Sequence, residues 1–291
     1  MITTYIGMVK RGEVFRQKED GYLLLVDGHE VLLPFADDDF EFTDDETINV
    51  FIYSDKDGQV LATAKVPTVQ RGTYGWAKVT DVVPHLGVFV QIGIENDILV
   101  PKDKLPAVDT VWPKIDDQLL VTLDTDRQHR LLAIPAQENV FYDQREIATD
   151  DLMYAQVNGY VYQTGYEGSA VFTNEGYRGF IHRTMREKEP RLGEHVTGRI
   201  IDVKEDGTIN VSLLPKKRER MDQDAETILQ YLHEHSGQMP FGDKSEPEQI
   251  RQTFKMSKSA FKRALGMLMR QKRITQHQGH TFLSHSVPKD H

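Results

Sequence analysis

Cysteine is absent from the 291 residues. That removes disulfides, thiolate metal sites and a cysteine nucleophile, and it fits a reducing compartment. No run of roughly 18 apolar residues occurs, so no membrane-spanning helix is expected. The stretch Met1 to Lys10 has no apolar segment behind a basic start, so no signal peptide is expected and the chain reads as soluble and cytoplasmic. Catalytic signatures are also missing: there is no Gly-x-x-x-x-Gly-Lys-Ser/Thr loop, no Gly-x-Gly-x-x-Gly behind a strand and no His-Glu-x-x-His. The acidic stretch Asp37 to Glu41, with Asp44, Asp45 and Glu46, reads as a hydrated loop, because carboxylates alone do not specify a coordination geometry. His233 and His235 sit two apart at a helix end, and His277, His280 and His285 surround a predicted hairpin without a carboxylate partner. No metal site, no cofactor and no enzymatic activity are expected.

The formal net charge is −10, and it is unevenly spread. Residues 1–140 carry 13 Lys and Arg against 24 Asp and Glu, and residues 141–215 carry 8 against 12. Residues 216–291 reverse the sign with 14 against 9, and within 244–273 the count is 9 against 2. Charges separated by more than ~8 Å are largely screened at physiological salt, so a local block matters more than the average. Such a block is either a solvated face or an electrostatic footprint for a polyanion, and its placement on the fold decides between them.

Three segments repeat the same order of short strands: Gly12 to about Thr63, Gly75 to about Ile134, and Ala155 to about Leu214. Each offers four or five runs rich in β-branched and aromatic residues, punctuated by turns such as Asp27-Gly28, Asp57-Gly58 and Asp206-Gly207. Five short strands with a longer middle connection suit an OB-fold barrel, and the threefold recurrence favours separate barrels over one large sandwich. A glycine opens the second strand each time (Gly21, Gly87, Gly168), where a side chain would obstruct coiling or the approach of a ligand. The expected architecture is mainly β with a C-terminal α/β module. Boundaries fall near 1–65, 66–142 and 143–216 for the barrels and 217–291 for the last domain.

These units resemble the S1 family of RNA-binding OB-folds. Leu86-Gly87-Val88-Phe89-Val90 matches the Phe-Gly-x-Phe-Val element except for Leu86, and Pro101 stands at the position of the histidine in Gly-Leu-Val-His. In the third unit Gly179-Phe180-Ile181-His182 fits that histidine element, and Gly193 to Asp202 with Ile209 to Leu213 fits the closing ones. The first unit has Pro34 for the histidine and Asp20 and Leu23 at the aromatic positions, which makes it a scaffold in this reading. The resemblance implies base stacking on exposed rings, for which Phe89, Tyr166, Phe180 and His182 are the candidates, with Phe172 and Tyr177 as further possibilities. Strand alternation puts Phe180 and His182 on one face, so both point outward or both inward. Arg178, Arg183, Arg186 and Arg191 lie close by in sequence to follow a phosphate backbone.

After Leu214-Pro215 the β pattern stops, and the basic run Lys216 to Arg220 marks a boundary. Ala225, Ile228, Leu229 and Leu232 follow an amphipathic helical spacing that ends before Gly237. Ser245-Glu-Pro-Glu248 predicts an N-cap and a short helix carrying Ile250 and Phe254. Ser257 caps a third helix from about Lys258 to Gln271, and a hairpin over 273–276 and 281–284 completes the order of a winged helix. At about 100° per residue, Phe261, Ala264, Leu265 and Leu268 share one face of the third helix. Ser259, Arg263 and Arg270 lie opposite, with Lys258 and Lys262 flanking and Lys272 and Arg273 beyond. Helix–turn–helix proteins present cations and free N–H groups to phosphates from such a face, whereas an ordinary packing helix carries the same charges into water.

The string Phe254-Lys-Met-Ser-Lys-Ser-Ala-Phe-Lys-Arg-Ala-Leu-Gly-Met-Leu268, behind the barrels, resembles the conserved virulence factor B (CvfB) family of bacterial RNA-binding regulators. The resemblance implies three S1-like domains and a winged helix. It also implies RNA binding and a post-transcriptional influence on gene expression, and it implies no catalytic activity. The leading reading is a binder of single-stranded RNA with modest sequence preference. The third barrel and winged helix are expected to offer one continuous binding surface. Two other readings stay open at this point: a winged-helix DNA-binding transcription regulator, and a ribosome- or polymerase-associated interaction protein.

Overall fold

Val14, Val79 and Val161 occupy the same place in three successive barrels, and each marks the irregularity where the first strand slips register against the second. The computed structural model describes residues 1–35, 41–55, 57–215 and 217–284, with the side chains of 217–220 excepted. Asp37 to Asp39, the basic run 216–220 and His285 therefore lie outside the described side chains. The first barrel comprises β1 (Val9–Gln17), β2 (Gly21–Val26), β3 (His29–Pro34), β4 (Thr47–Ser54) and β5 (Val60–Thr63). The second comprises β6 (Gly75–Val83), β7 (Gly87–Gln91), β8 (Ile98–Pro101), β9 (Gln118–Thr125) and β10 (Leu131–Pro135). A short helix α1 (Glu138–Asp143) leads to the third: β11 (Gln156–Thr164), β12 (Gly168–Thr173), β13 (Arg178–His182), β14 (His195–Val203) and β15 (Ile209–Ser212).

All three close in the order first, second, third, fifth, fourth, with a parallel contact between the third and fifth strands. That is the five-stranded Greek-key barrel of the OB-fold. The register repeats too: Gly21 faces Pro34, Gly87 faces Pro101 and Gly168 faces His182. A Cβ on any of these glycines would fall on the carbonyl oxygen of Leu33, Val100 or Ile181, so the neighbouring strand itself requires glycine there.

The first two barrels share one hydrophobic core that runs from Leu24, Phe51 and Ile52 through Ile6 and Val69 to Val79, Val90 and Val121. The third has its own, built on Val161, Ile181, Ile200 and Ile209. Between the second and third barrels, Phe141 of α1 stacks on Tyr162, with ring centroids 3.8 Å apart, and packs with Leu120, Val140 and Ala170. Burying one such ring contributes roughly 1.5–3 kcal/mol.

Residues from Pro215 onward form a second unit, described by itself. It contains α2 (Lys217–Glu234), β16 (Gln238–Met239), α3 (Pro247–Phe254), α4 (Lys258–Arg270), β17 (Ile274–His277) and β18 (His280–Leu283). Ile228, Leu229 and Leu232 of α2 pack against Phe254, Phe261, Leu265 and Leu268 of α3 and α4. The two-residue loop Gln278-Gly279 has φ of 49° and 81°, the left-handed pair that turns a tight hairpin. Two details correct the sequence reading. Ser245 does not cap α3; Glu246 holds the cap position, and the Ser245 hydroxyl accepts from the Gly242 N–H at 2.9 Å. The sheet also has a third strand, because β16 pairs with β18, a segment too short to leave a periodic signal. No helix among the described residues is long and apolar enough to cross a membrane.

Candidate nucleic-acid interface

Strand alternation settles the pair on β13: Ile181 is fully buried, while Phe180 is half-buried and His182 exposed on the opposite, outer face. The Phe180 ring lies against Gly168, where a Cβ would collide with it, so this glycine makes room for a ring as well as for the strand. The His182 imidazole is held by Thr184: Nδ1 is 2.8 Å from its hydroxyl and accepts from its backbone N–H. Its Nε2 lies 3.9 Å from a Glu167 carboxylate oxygen. Tyr166, in the turn between β11 and β12, is 80% exposed, and the Arg183 guanidinium sits 4.9 Å from its ring centre. Phe180, His182, Tyr166 and Arg183 thus gather around one corner of the third barrel. Flat rings and one cation, all reachable from water, can stack unpaired bases and meet a phosphate.

The other arginines of this barrel are occupied. Arg178 donates to Glu138 at 3.0 Å and to the Tyr162 hydroxyl at 3.2 Å, joining β13 to α1. Burial, and then the hydrogen bond to Glu138, push the Tyr162 hydroxyl pKa well above the ordinary tyrosine value. Arg186, with a side chain only 7% exposed, bonds the Ser169 hydroxyl and pairs with Glu189 at 3.2 Å. Arg191 binds Asp117 through two nitrogens at 3.0 and 3.1 Å and also pairs with Glu194. The hydrogen bond to Asp117 raises the Arg191 pKa above that of a free arginine. Arg178, Arg186 and Arg191 therefore fasten the structure and leave the candidate set. So do Phe172, which packs on Phe141, and Tyr177, which packs on the third core. Phe89 stands apart, half-exposed on β7 between the buried Val88 and Val90.

In the second unit Ser257 caps α4 by accepting from the Ala260 N–H at 3.2 Å. Ala260, Phe261, Ala264, Leu265 and Leu268 are buried, so the outer face is fixed as Ser259, Lys262, Arg263, Met269 and Arg270, with Lys258 half-buried at the start. Among the described residues no carboxylate pairs with Lys258, Lys262, Arg263, Arg270 or Lys272. The Arg270 Nε donates to the Gly266 carbonyl at 3.3 Å, which folds that side chain along its own helix. Arg273 reaches Glu226 only at 3.9 Å, and both are exposed. Arg251 and Lys255 are exposed as well; they lie in the basic block but off the helix on which the sequence reading concentrated. Among the described residues no group of three or more His, Asp or Glu side chains is placed to hold a metal ion.

Four family models match the chain in order. They are the S1 domain over residues 6–65, the CvfB first S1-like domain over 74–134, the second domain of virulence regulatory factor CvfB over 141–215, and the CvfB-like winged helix domain over 226–283. The chain is similar to the uncharacterized protein YitL of Bacillus subtilis strain 168, with 42% identity over 266 residues, covering 91% of this chain and 89% of that one. It is 36% identical over 283 residues to conserved virulence factor B of Staphylococcus aureus strain N315, covering 96% and 94%. Its structure is similar to a crystal structure of a multidomain protein with nucleic acid binding domains from Streptococcus pneumoniae TIGR4. The TM-score is 0.67 at 34% identity, over 96% of this chain and 99% of that one.

Proposed function

The chain belongs to the conserved virulence factor B family, and on that premise we propose that it binds single-stranded RNA and regulates gene expression after transcription. The observation that carries this reading is the outer face of α4, where Lys258, Lys262, Arg263 and Arg270 stand without carboxylate partners among the described residues. Unpaired cations on a capped helix release counterions when they meet phosphates, which makes binding strong at low salt and weak at high salt. The corner formed by Tyr166, Phe180, His182 and Arg183 adds rings that take up unstacked bases, a contact available from single strands and closed off in a duplex. Each unit brings its own contacts: cations from α4, rings from the third barrel. The first barrel, with Pro34 where His182 stands in the third, serves as support.

Fluorescence anisotropy with length-matched single-stranded RNA, duplex RNA and duplex DNA, each across a salt series, tests the proposal. Single-stranded RNA is expected to bind most tightly, with a log–log salt slope of roughly −0.7 for each phosphate contact. Tighter binding to a defined duplex DNA would replace this reading with that of a DNA-binding transcription regulator. Absence of binding to all three at low salt would remove nucleic acid altogether.

A further inference from the structure

The connection from β8 to β9 in the second barrel carries apolar side chains on its outside. Val108 and Ile115 are each 58% exposed, and with Pro106 and the half-buried Trp112 they line a groove of ≈ 1520 Å³. Two large aliphatic side chains exposed side by side, with polar and charged groups around them, form a small apolar surface of the kind that a short segment can cover. The groove is preformed. The Trp112 indole donates to the Pro106 carbonyl at 2.7 Å, and the Leu192 N–H donates to the Val111 carbonyl at 3.0 Å. Arg191, clamped on Asp117 and Glu194, ties this connection to its counterpart in the third barrel.

Its charge runs against its surroundings. Residues 1–215 hold 36 acidic side chains against 21 basic ones, yet three lysines, Lys102, Lys114 and Lys188, line this groove beside a single carboxylate, Asp109. Among the described residues none of the three lysines is ion-paired. We propose that this groove docks a linear segment of a partner protein that presents aliphatic side chains flanked by Asp or Glu. Aliphatic and proline walls suit aliphatic side chains, and free lysines at the rim suit carboxylates. Nucleobases fit less well: the one ring present, Trp112, is half-buried and has its N–H engaged, and no arginine lines the groove. The site lies outside the residues assigned to RNA, so it stands independently of that proposal.

The test displays a library of random dodecapeptides against the immobilised full chain. Enriched peptides are then synthesised and titrated into a Trp76→Phe chain. With only two tryptophans in the sequence, this leaves Trp112 as the sole indole reporter. Enriched peptides are expected to combine acidic and aliphatic residues and to shift Trp112 emission. Their affinity is expected to fall roughly tenfold or more with Val108→Ser plus Ile115→Ser, and similarly with Lys114→Glu plus Lys188→Glu. All four side chains are exposed, so these changes leave the core intact. Failure to enrich any peptide, enrichment without an acidic bias, or binding indifferent to both double variants would overturn the proposal. Displacement of the peptide by single-stranded RNA, with the same Trp112 response, would assign the groove to nucleic acid instead.

Discussion

Four arginines cluster near His182 in the third barrel, and nine lysines and arginines crowd residues 244–273, yet the fold uses the two groups in opposite ways. In the barrel, Arg178, Arg186 and Arg191 are spent on Glu138, Glu189 and Asp117, and Arg183 alone stays out, over a tyrosine ring. On α4 the cations face water because the apolar stripe Phe261, Ala264, Leu265 and Leu268 turns inward. A cation close in sequence to a site is thus poor evidence of contact with a ligand; one on the polar side of a helix whose other side is core is much better evidence. The barrel thus presents exposed rings on an ion-paired frame, and the winged helix presents cations without carboxylate partners among the described residues.

The largest expected effect comes from breaking the barrel's fastening. Arg191→Ala leaves Asp117 nearly buried and unpaired, with side-chain exposures of 16% and 9% in the pair. Denaturant unfolding should show a loss of about 3–5 kcal/mol, with the salt slope of RNA binding unchanged. Undiminished stability together with a flatter slope would move Arg191 to the phosphate side of the comparison. Next comes the combined change Lys258→Ala, Lys262→Ala and Arg263→Ala. Affinity for single-stranded RNA should drop roughly tenfold or more, and the log–log slope should flatten by about 2. Thermal unfolding should move little, since Lys262 and Arg263 are exposed and Lys258 is only half-buried at the start of the helix.

Smaller, and different in kind, is the effect of Tyr166→Ala or His182→Ala. Each should cost about 1–3 kcal/mol of binding while the salt slope stays as it is. A slope that flattened as it does for the lysine changes would mean that these rings act only by holding Arg183 and Glu167. Smallest is Phe89→Ala. Its ring stands alone on β7, and the resulting loss of affinity should stay under about 1 kcal/mol. A larger loss would bring the second barrel into the binding surface.

Much of the fold was legible in the sequence because its determinants are local. The Asp-Gly turns, the glycine at the head of each second strand and the 3.6-residue stripe on α4 each announce themselves within a few residues. Alternation along Phe180-Ile181-His182 correctly coupled the two outer side chains. Long-range partners were not legible. Glu138 lies 40 residues from Arg178, and Asp117 lies 74 from Arg191; of the partners of these two arginines only Glu194, three residues after Arg191, is close in sequence. The groove beside Trp112 was invisible for the same reason, since its walls come from two barrels. Ser245 misled because a serine two residues before a proline suits both a helix cap and the turn it actually makes.

The most direct test of the central claim sets two variants side by side in one salt series with single-stranded RNA: the triple α4 change and Arg178→Gln. The expected result is a slope flatter by about 2 for the first and an unaltered slope for the second. Equal slopes for the wild type and the α4 variant, or flattening by Arg178→Gln alone, would contradict it.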